Sequence, residues 1–238
     1  MFRMLGFSML FVADWLDAIF LHFAVDPSAL APQIPLELDV RDGLAYVSLV
    51  AFTQRNLRPS IGGALAAWLA TPLATHEFLN VRTYVRHGDT RGIFFLAEWI
   101  PNRLAALIGP RTYGLPYRLG ELHYDGRDRE VIATGRQLHF RATPAASHPD
   151  PLDDFLLERY CAFTHRDGVV RRFDVTHAPW PQQPVNVEMI DNGLLALSGE
   201  WHRGATLAAA HHSPGVRDVA ISAPRRLVSG RLARRCPA

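Results

Sequence analysis

The feature that most restricts how this chain can fold is a series of four glycine-bearing turns set between β-rich runs. His87-Gly88-Asp89 divides residues 78–86 from 91–100, and Asp125-Gly126 divides 113–124 from 130–141. Asp167-Gly168 separates 161–165 from 169–175, and Asp191-Asn192-Gly193 separates 185–190 from 194–199. These dipeptides tolerate the positive φ that tight hairpins need, so each predicts a pair of antiparallel strands. Candidate strands at 18–25, 44–53 and 216–222 bring the total to about ten or eleven, with no βαβ alternation. A sheet of that size is expected to curl or close.

Helices look few and short. Asp26-Pro27 sets an acid at the N-cap and proline at the first helical position, opening a turn through Leu30. Residues 102–108 read as a helix closed by Gly109-Pro110. Asp150-Pro151 opens another, with Leu152, Phe155, Leu156 and Phe163 on one face and Asp153 and Asp154 in its first turn. Residues 64–70, between Gly62-Gly63 and Pro72, are helical or a lid-like loop. The expected fold class is α+β, mostly antiparallel β, as one domain over 1–227 followed by an Arg-rich tail at 228–238.

Charge and missing residues exclude whole chemistries. All 25 basic residues are arginine, so no side-chain amine exists. The net charge of +2 hides an asymmetry: Arg225, Arg226, Arg231, Arg234 and Arg235 leave 20 arginines against 23 acids in the rest of the chain, a balance of −3. A mildly acidic body predicts no nucleic-acid binding outside the basic end, which reads either as a solvated terminus or as an arm for nucleic acid or anionic lipid. Cys161 and Cys236 form no CxxC pair, so neither a structural zinc site nor a disulfide framework is indicated and a cytoplasmic location is expected. The apolar stretch 4–13 is too short for a membrane span, and Asp14 and Asp17 follow where a cleavage site would stand. HExxH, G-x-S-x-G, P-loop and G-x-G-x-x-G patterns are all absent. Neither metal nor cofactor is expected.

The segment Gly109-Pro110-Arg111-Thr112-Tyr113-Gly114-Leu115-Pro116-Tyr117-Arg118-Leu119-Gly120 resembles the signature of acetoacetate decarboxylase, in which a glycine is followed seven residues later by proline and two adjacent lysines. Here those lysine positions are Tyr117 and Arg118. Upstream, Val25-Asp26-Pro27-Ser28-Ala29-Leu30 with Pro35-Leu36-Glu37-Leu38-Asp39 looks like the superfamily's first strand and short helix, and Thr75-His76-Glu77 falls where it places its active-site glutamate. More closely, residues 77–85, 115–118, 155–160 and His177-Ala178-Pro179-Trp180 resemble the YqjF-like family, a branch without an assigned activity. The resemblance spans residues 15–227 and implies a cone-like barrel around a small-molecule cavity. It does not carry the chemistry over, because tyrosine and guanidinium cannot form the decarboxylase's Schiff base. The family's substrate-binding arginine near the first strand is also missing, since none lies between Arg3 and Arg41.

The resemblance implies Glu77, Tyr117 and Arg118 at the cavity. Arg118 suits a carboxylate, or simply pairs with Glu77. Tyr117 is a hydrogen-bond donor to a ligand carbonyl, or a packed aromatic. Asn80, Arg82 and Tyr84 alternate with Val81, Thr83 and Val85, so one strand face is polar and either lines the cavity or meets solvent. His177 and Trp180 make a lid or base, or pin a rigid loop, and Arg159-Tyr160 reads as packing on the amphipathic helix. The expectation is a binding barrel for a carboxylate- or carbonyl-bearing small molecule. The alternatives are a non-covalent lyase or isomerase using Glu77 and Arg118 on a keto acid, and an oligomeric structural protein; homo-oligomer formation stays open.

Overall fold

The computed structural model describes residues 9–125, 129–135, 137–146 and 150–227. In chain order the strands are β1 (Met9–Val25), β2 (Glu37–Leu38), β3 (Ala45–Pro59), β4 (His76–His87), β5 (Thr90–Ile100), β6 (Tyr117–Leu119) and β7 (Leu122–Asp125). They continue as β8 (Glu130–Ala133), β9 (Leu138–Pro144), β10 (Cys161–Arg166), β11 (Val169–Thr176), β12 (Gln183–Asp191), β13 (Thr206–Ser222) and β14 (Arg225–Arg226). The helices are α1 (Pro27–Leu30), α2 (Gly63–Leu69), α3 (Arg103–Thr112) and α4 (Pro151–Leu157). None of them is long and apolar enough to cross a membrane. The tail at 228–238 and the Gly126 apex of the second hairpin lie outside the described residues.

Seven strands form a ring in the order β11, β10, β5, β4, β3, β1, β13. It is joined where β13 pairs back to β11 through Val175 with Ile221 and Thr176 with Ala220. An arm of β12, β9, β8 and β7 extends from β13. The hairpins at Gly88 and Gly168 form as expected, β4 with β5 and β10 with β11. Pairing is not antiparallel throughout, because β5 meets both β10 and β6 in parallel over two and three residue pairs.

Four local expectations need correction. After Asp191 the chain makes no second strand but 3₁₀ turns over 193–198 and 200–204. Burial of Leu194, Leu195 and Trp201 in the core outweighs the hairpin signal of Asn192-Gly193. The run 113–124 yields only β6 and β7. Helix α3 continues through Gly109-Pro110 to Thr112. Pro110 forfeits one helical bond, but Arg111 Nη1 donates to Leu107 O and Thr112 Oγ1 to Ile108 O, holding the last turn. Finally, α4 stops at Leu157, which leaves Phe163 in β10 and Arg159 beyond the helix. The proline-led starts hold: Asp26 and Asp150 cap α1 and α4 by accepting from Ser28 N and Leu152 N.

Strand alternation divides the interior in two. Odd-numbered Ile19, Leu21, Val47, Leu49, Leu79 and Val81 pack with Phe140, Leu194, Leu195 and Trp201 from the arm and the 3₁₀ turns. Even-numbered Phe20, Val50 and Phe78 join Ile93, Ala162, Phe173 and Val216, so every strand of the ring contributes to this second cluster.

Candidate functional site

The second cluster is hollow. A cavity of about 460 Å³ is bounded by Trp15, Phe20, Phe52, Phe78, Phe95, Phe173 and Trp180, with Gln54, His76, Asn80, Arg82, Glu98 and Tyr117 among its polar walls. The aromatic wall is interlocked: Trp180 meets Phe20 edge-on at 5.1 Å, and Phe52 stacks on Phe78 at 5.1 Å.

Pairing of adjacent strands assembles the polar floor. Asn80 of β4 lies opposite Glu98 of β5, and Glu98 opposite Tyr117 of β6. Strict alternation along β5 would turn Glu98 away from Ile93 and Phe95. A register shift between Val81 and Arg82 sets Ala97 and Phe95 as their partners, leaving Leu96 as the extra residue. This bulge swaps the parity of the strand and turns Glu98 inward. Tyr117 reaches the wall because α3 approaches through Gly109, where a Cβ would overlap the tyrosine ring.

These groups are short of partners. The guanidinium of Arg82 is buried, and its Nε and Nη2 have no hydrogen-bond partner, nor do Asn80 Oδ1, Glu98 Oε2 or either ring nitrogen of His76. Burial pushes the Glu98 carboxyl well above the usual carboxylate range despite Arg82, which favours its protonated form. Burial, with Glu98 alongside, also pushes the Tyr117 phenol well up, and burial alone takes His76 down to about 4. Burial lowers the Arg82 pKa while the Tyr84 hydroxyl opposes that, and a guanidinium remains charged regardless. Two arginines thus line the cavity, Arg159 paired with Asp39 and Arg82 without a carboxylate partner.

Of the residues expected from sequence, Asn80, Arg82 and Tyr117 line this cavity together. Tyr84 shares their strand face but stands behind the wall. Its hydroxyl donates to Leu156 O at 2.8 Å and accepts from Ser48 Oγ at 2.5 Å, and Ser48 in turn accepts from His22 Nδ1 at 2.6 Å. Glu77, one residue out of phase, lines a separate recess of about 250 Å³ with His123, Tyr124 and Glu130. Arg118, next to Tyr117, points outward, donating to Leu197 O and lying over the Trp99 ring. The expected meeting of Glu77, Tyr117 and Arg118 therefore does not occur, because adjacent residues of a strand face opposite sides. His177 and Trp180 both line the cavity, and burial lowers the His177 pKa. Arg159 is buried against Asp39, which also takes both Nε and Nη2 of Arg91. Glu98 and His76 were not singled out from sequence; the signal for Glu98 was a lone acid in the apolar run 93–100. Among the described residues no cluster of three His, Cys, Asp or Glu is placed to hold a metal.

Solved structures share this fold at low identity. An acetoacetate decarboxylase-like enzyme from Sphingomonas wittichii RW1 superposes with a TM-score of 0.59 at 18% identity, over 92% of this chain and 94% of that one. The enduracididine biosynthesis enzyme MppR, complexed with pyruvate, gives a TM-score of 0.59 at 15% identity, over 94% and 92%. At the sequence level the uncharacterized protein YqjF of Bacillus subtilis (strain 168) is 31% identical over 203 residues, 78% of this chain and 80% of its own length. The profile of DUF2071, described as an uncharacterized conserved protein, matches residues 12–217. The chain therefore belongs to the DUF2071 family, with YqjF as a relative and the acetoacetate decarboxylase-like fold as its architecture.

Proposed function

We infer that the protein binds, without a covalent bond, a small molecule with an apolar body and one carboxylate or similarly polar carbonyl group. Arg82 takes the anionic end, with Asn80 and Tyr117 beside it. The observation that carries this reading is the buried Arg82 guanidinium, with Nε and Nη2 unpartnered in a mostly apolar cavity. An uncompensated buried charge is costly, and a carboxylate that accepts from two guanidinium N–H groups removes that cost. A cavity of about 460 Å³ suits a body larger than a few carbons. Imine chemistry has no side-chain amine to use: the chain has no lysine, and Tyr117 is the member of the Tyr117-Arg118 pair that faces the cavity.

Trp15 and Trp180 in the wall give the readout. Their fluorescence is followed while 4-phenylbutyrate, its amide and its amine are titrated in turn. The acid is expected to bind and the amine to fail, with Arg82→Met weakening the acid by about a hundredfold, the scale of losing one partner of a buried charge pair. Binding of the amine as tight as that of the acid, or an indifferent Arg82→Met, sinks the reading.

A second reading has its own observation, the buried Glu98 carboxyl on the same cavity wall with Oε2 unpartnered, whose burial favours the protonated form. Such an acid is poised to donate a proton to a carbonyl held at Arg82, as a non-covalent lyase or isomerase requires. Turnover of a β-keto acid panel that disappears in Glu98→Gln while binding persists would favour it. Binding with no turnover in the unaltered protein favours the first reading.

A further inference from the structure

The opening of the cavity is edged by elements that leave large apolar side chains in water. Leu57, Leu73 and Ile108 line the cavity itself. Beyond them, α2 buries none of its seven residues, and Leu65, Trp68 and Leu69 are 69%, 70% and 65% exposed, preceded by Ile61 at 82%. On α3, Leu104 and Leu107 are exposed as well. Asn102 Nδ2 donates to Pro72 O at 2.7 Å, fastening the start of α3 to the 3₁₀ turn that follows α2, so the two apolar surfaces belong to one side of the molecule. An apolar area of this kind is unusual on a free monomer and marks a docking surface.

Charge decides what covers it. No acid occurs between Asp42 and Glu77, or between Glu98 and Glu121, the stretches that supply these elements. Arg55, Arg103 and Arg111 in the same stretches are exposed. Strand pairing sets Asp14 opposite Arg55 and Glu77 opposite Thr53, and Glu77 lines the separate recess with His123 and Glu130. Asp14 and Asp218, the acids that meet the side chains of β3, are both engaged. Asp14 accepts from Asn56 Nδ2 and Asp218 N, and Asp218 accepts from Arg58 at 2.6 Å. A second copy docked face to face would set arginine against arginine. An anionic bilayer meets both features at once, since leucine and tryptophan enter the headgroup boundary while arginines meet lipid phosphates.

We propose that α2, α3 and Ile61 form a peripheral docking surface for anionic lipid bilayers. Docked this way, the cavity mouth at Leu57, Leu73 and Ile108 faces the acyl boundary, and an apolar ligand enters without crossing water. That last consequence rests on the ligand reading above; the docking does not.

The test is sedimentation of the full-length protein with vesicles of phosphatidylcholine alone or mixed with phosphatidylglycerol, with no cavity ligand present. Partitioning is expected to rise about tenfold or more with the anionic lipid, to fall with salt, and to drop about tenfold in Leu65→Ser/Trp68→Ser. Both changes are at exposed side chains, and an unchanged thermal melt confirms folding. Arg231→Gln/Arg234→Gln/Arg235→Gln, which removes three of the five charges of the basic end, is expected to leave partitioning intact. Three results overturn the proposal. They are no preference for anionic vesicles, binding lost with the terminal arginines but kept in Leu65→Ser/Trp68→Ser, or a dimer in analytical ultracentrifugation that this double change dissociates. Because vesicle binding is read without ligand, its failure leaves the 4-phenylbutyrate titration standing, and the reverse also holds.

Discussion

Leu79 and Asn80 are neighbours on β4 and belong to two different regimes. The odd-numbered face of the strand is filled: Leu79, Val81 and Val85 sit in a close-packed cluster with residues of β1, β3 and the arm. The even-numbered face looks into a hollow, where Asn80 and Arg82 have polar atoms without partners. One strand therefore carries stability on one side and unsatisfied polarity on the other, and the pleat keeps them apart by a single residue. The comparison teaches that side-chain parity, more than position along the chain, decides which residues are available for a ligand here.

The largest effect that tests this contrast lies on the filled face. Leu79→Ala is expected to destabilise the protein by about 3 kcal/mol in urea denaturation, the range for a fully buried leucine whose site cannot collapse. Ligand affinity should stay unchanged in whatever fraction remains folded. A loss under about 1 kcal/mol would mean that this face is not the close-packed one.

Next comes the cation. Arg82→Met is expected to weaken carboxylate binding by about a hundredfold while leaving the melting temperature of the ligand-free protein unchanged or raised, because it removes a buried charge with unpartnered nitrogens. The opposing signs are the point: a purely structural arginine would lower the melting temperature when removed.

Glu98 sharpens the comparison through pH. Its native pKa is raised well above the ordinary 4.5 by burial, so the native state keeps a proton that the unfolded chain releases. The resulting stability is fully present below about 4.5 and is lost as pH rises through the elevated native value. Glu98→Gln should flatten the fall in stability over that window. An unchanged pH profile would place the acid in a solvated site.

A smaller effect is expected at Gly109, which lies on neither face of β4 but sets the Tyr117 wall. Gly109→Ala pushes a methyl into the tyrosine ring, and a loss of affinity of about fivefold with little change in fold is expected from a displaced wall residue. If crystals of the variant show Tyr117 unmoved, α3 rather than the ring has yielded.

How much of this was legible depends on whether the signal is local. The hairpins at Gly88 and Gly168 were, because Gly-Asp and Asp-Gly act within a few residues. The one at Asp191-Asn192-Gly193 was not, since Asp191 Oδ1 accepts from Gly193 N in a local turn and the core then captures Leu194 and Leu195. Likewise Asn80, Arg82 and Tyr84 were readable as one face from alternation alone. Glu98 was hidden because its direction depends on a bulge that only the pairing of β4 and β5 creates. The family resemblance carries the architecture across low identity, but for Glu77 and Arg118 it conflicts with alternation, and the structure follows alternation.

That conflict sets the smallest expected effect. Glu77 lies beside His76, a cavity residue, yet its side chain is turned to the recess shared with His123 and Glu130. If parity governs, Glu77→Gln changes ligand affinity by less than about twofold, since a half-exposed carboxylate on the far side of a strand acts only through a screened field. Arg118→Met should be similarly silent, because its guanidinium is occupied by Leu197 O and the Trp99 ring outside the ring of strands. Titrating both variants with 4-phenylbutyrate beside Arg82→Met puts the two assignments in direct competition. A large loss in Glu77→Gln together with an indifferent Arg82→Met would mean that β4 turns its other face to the ligand, and the division between filled and hollow faces would have to be reversed.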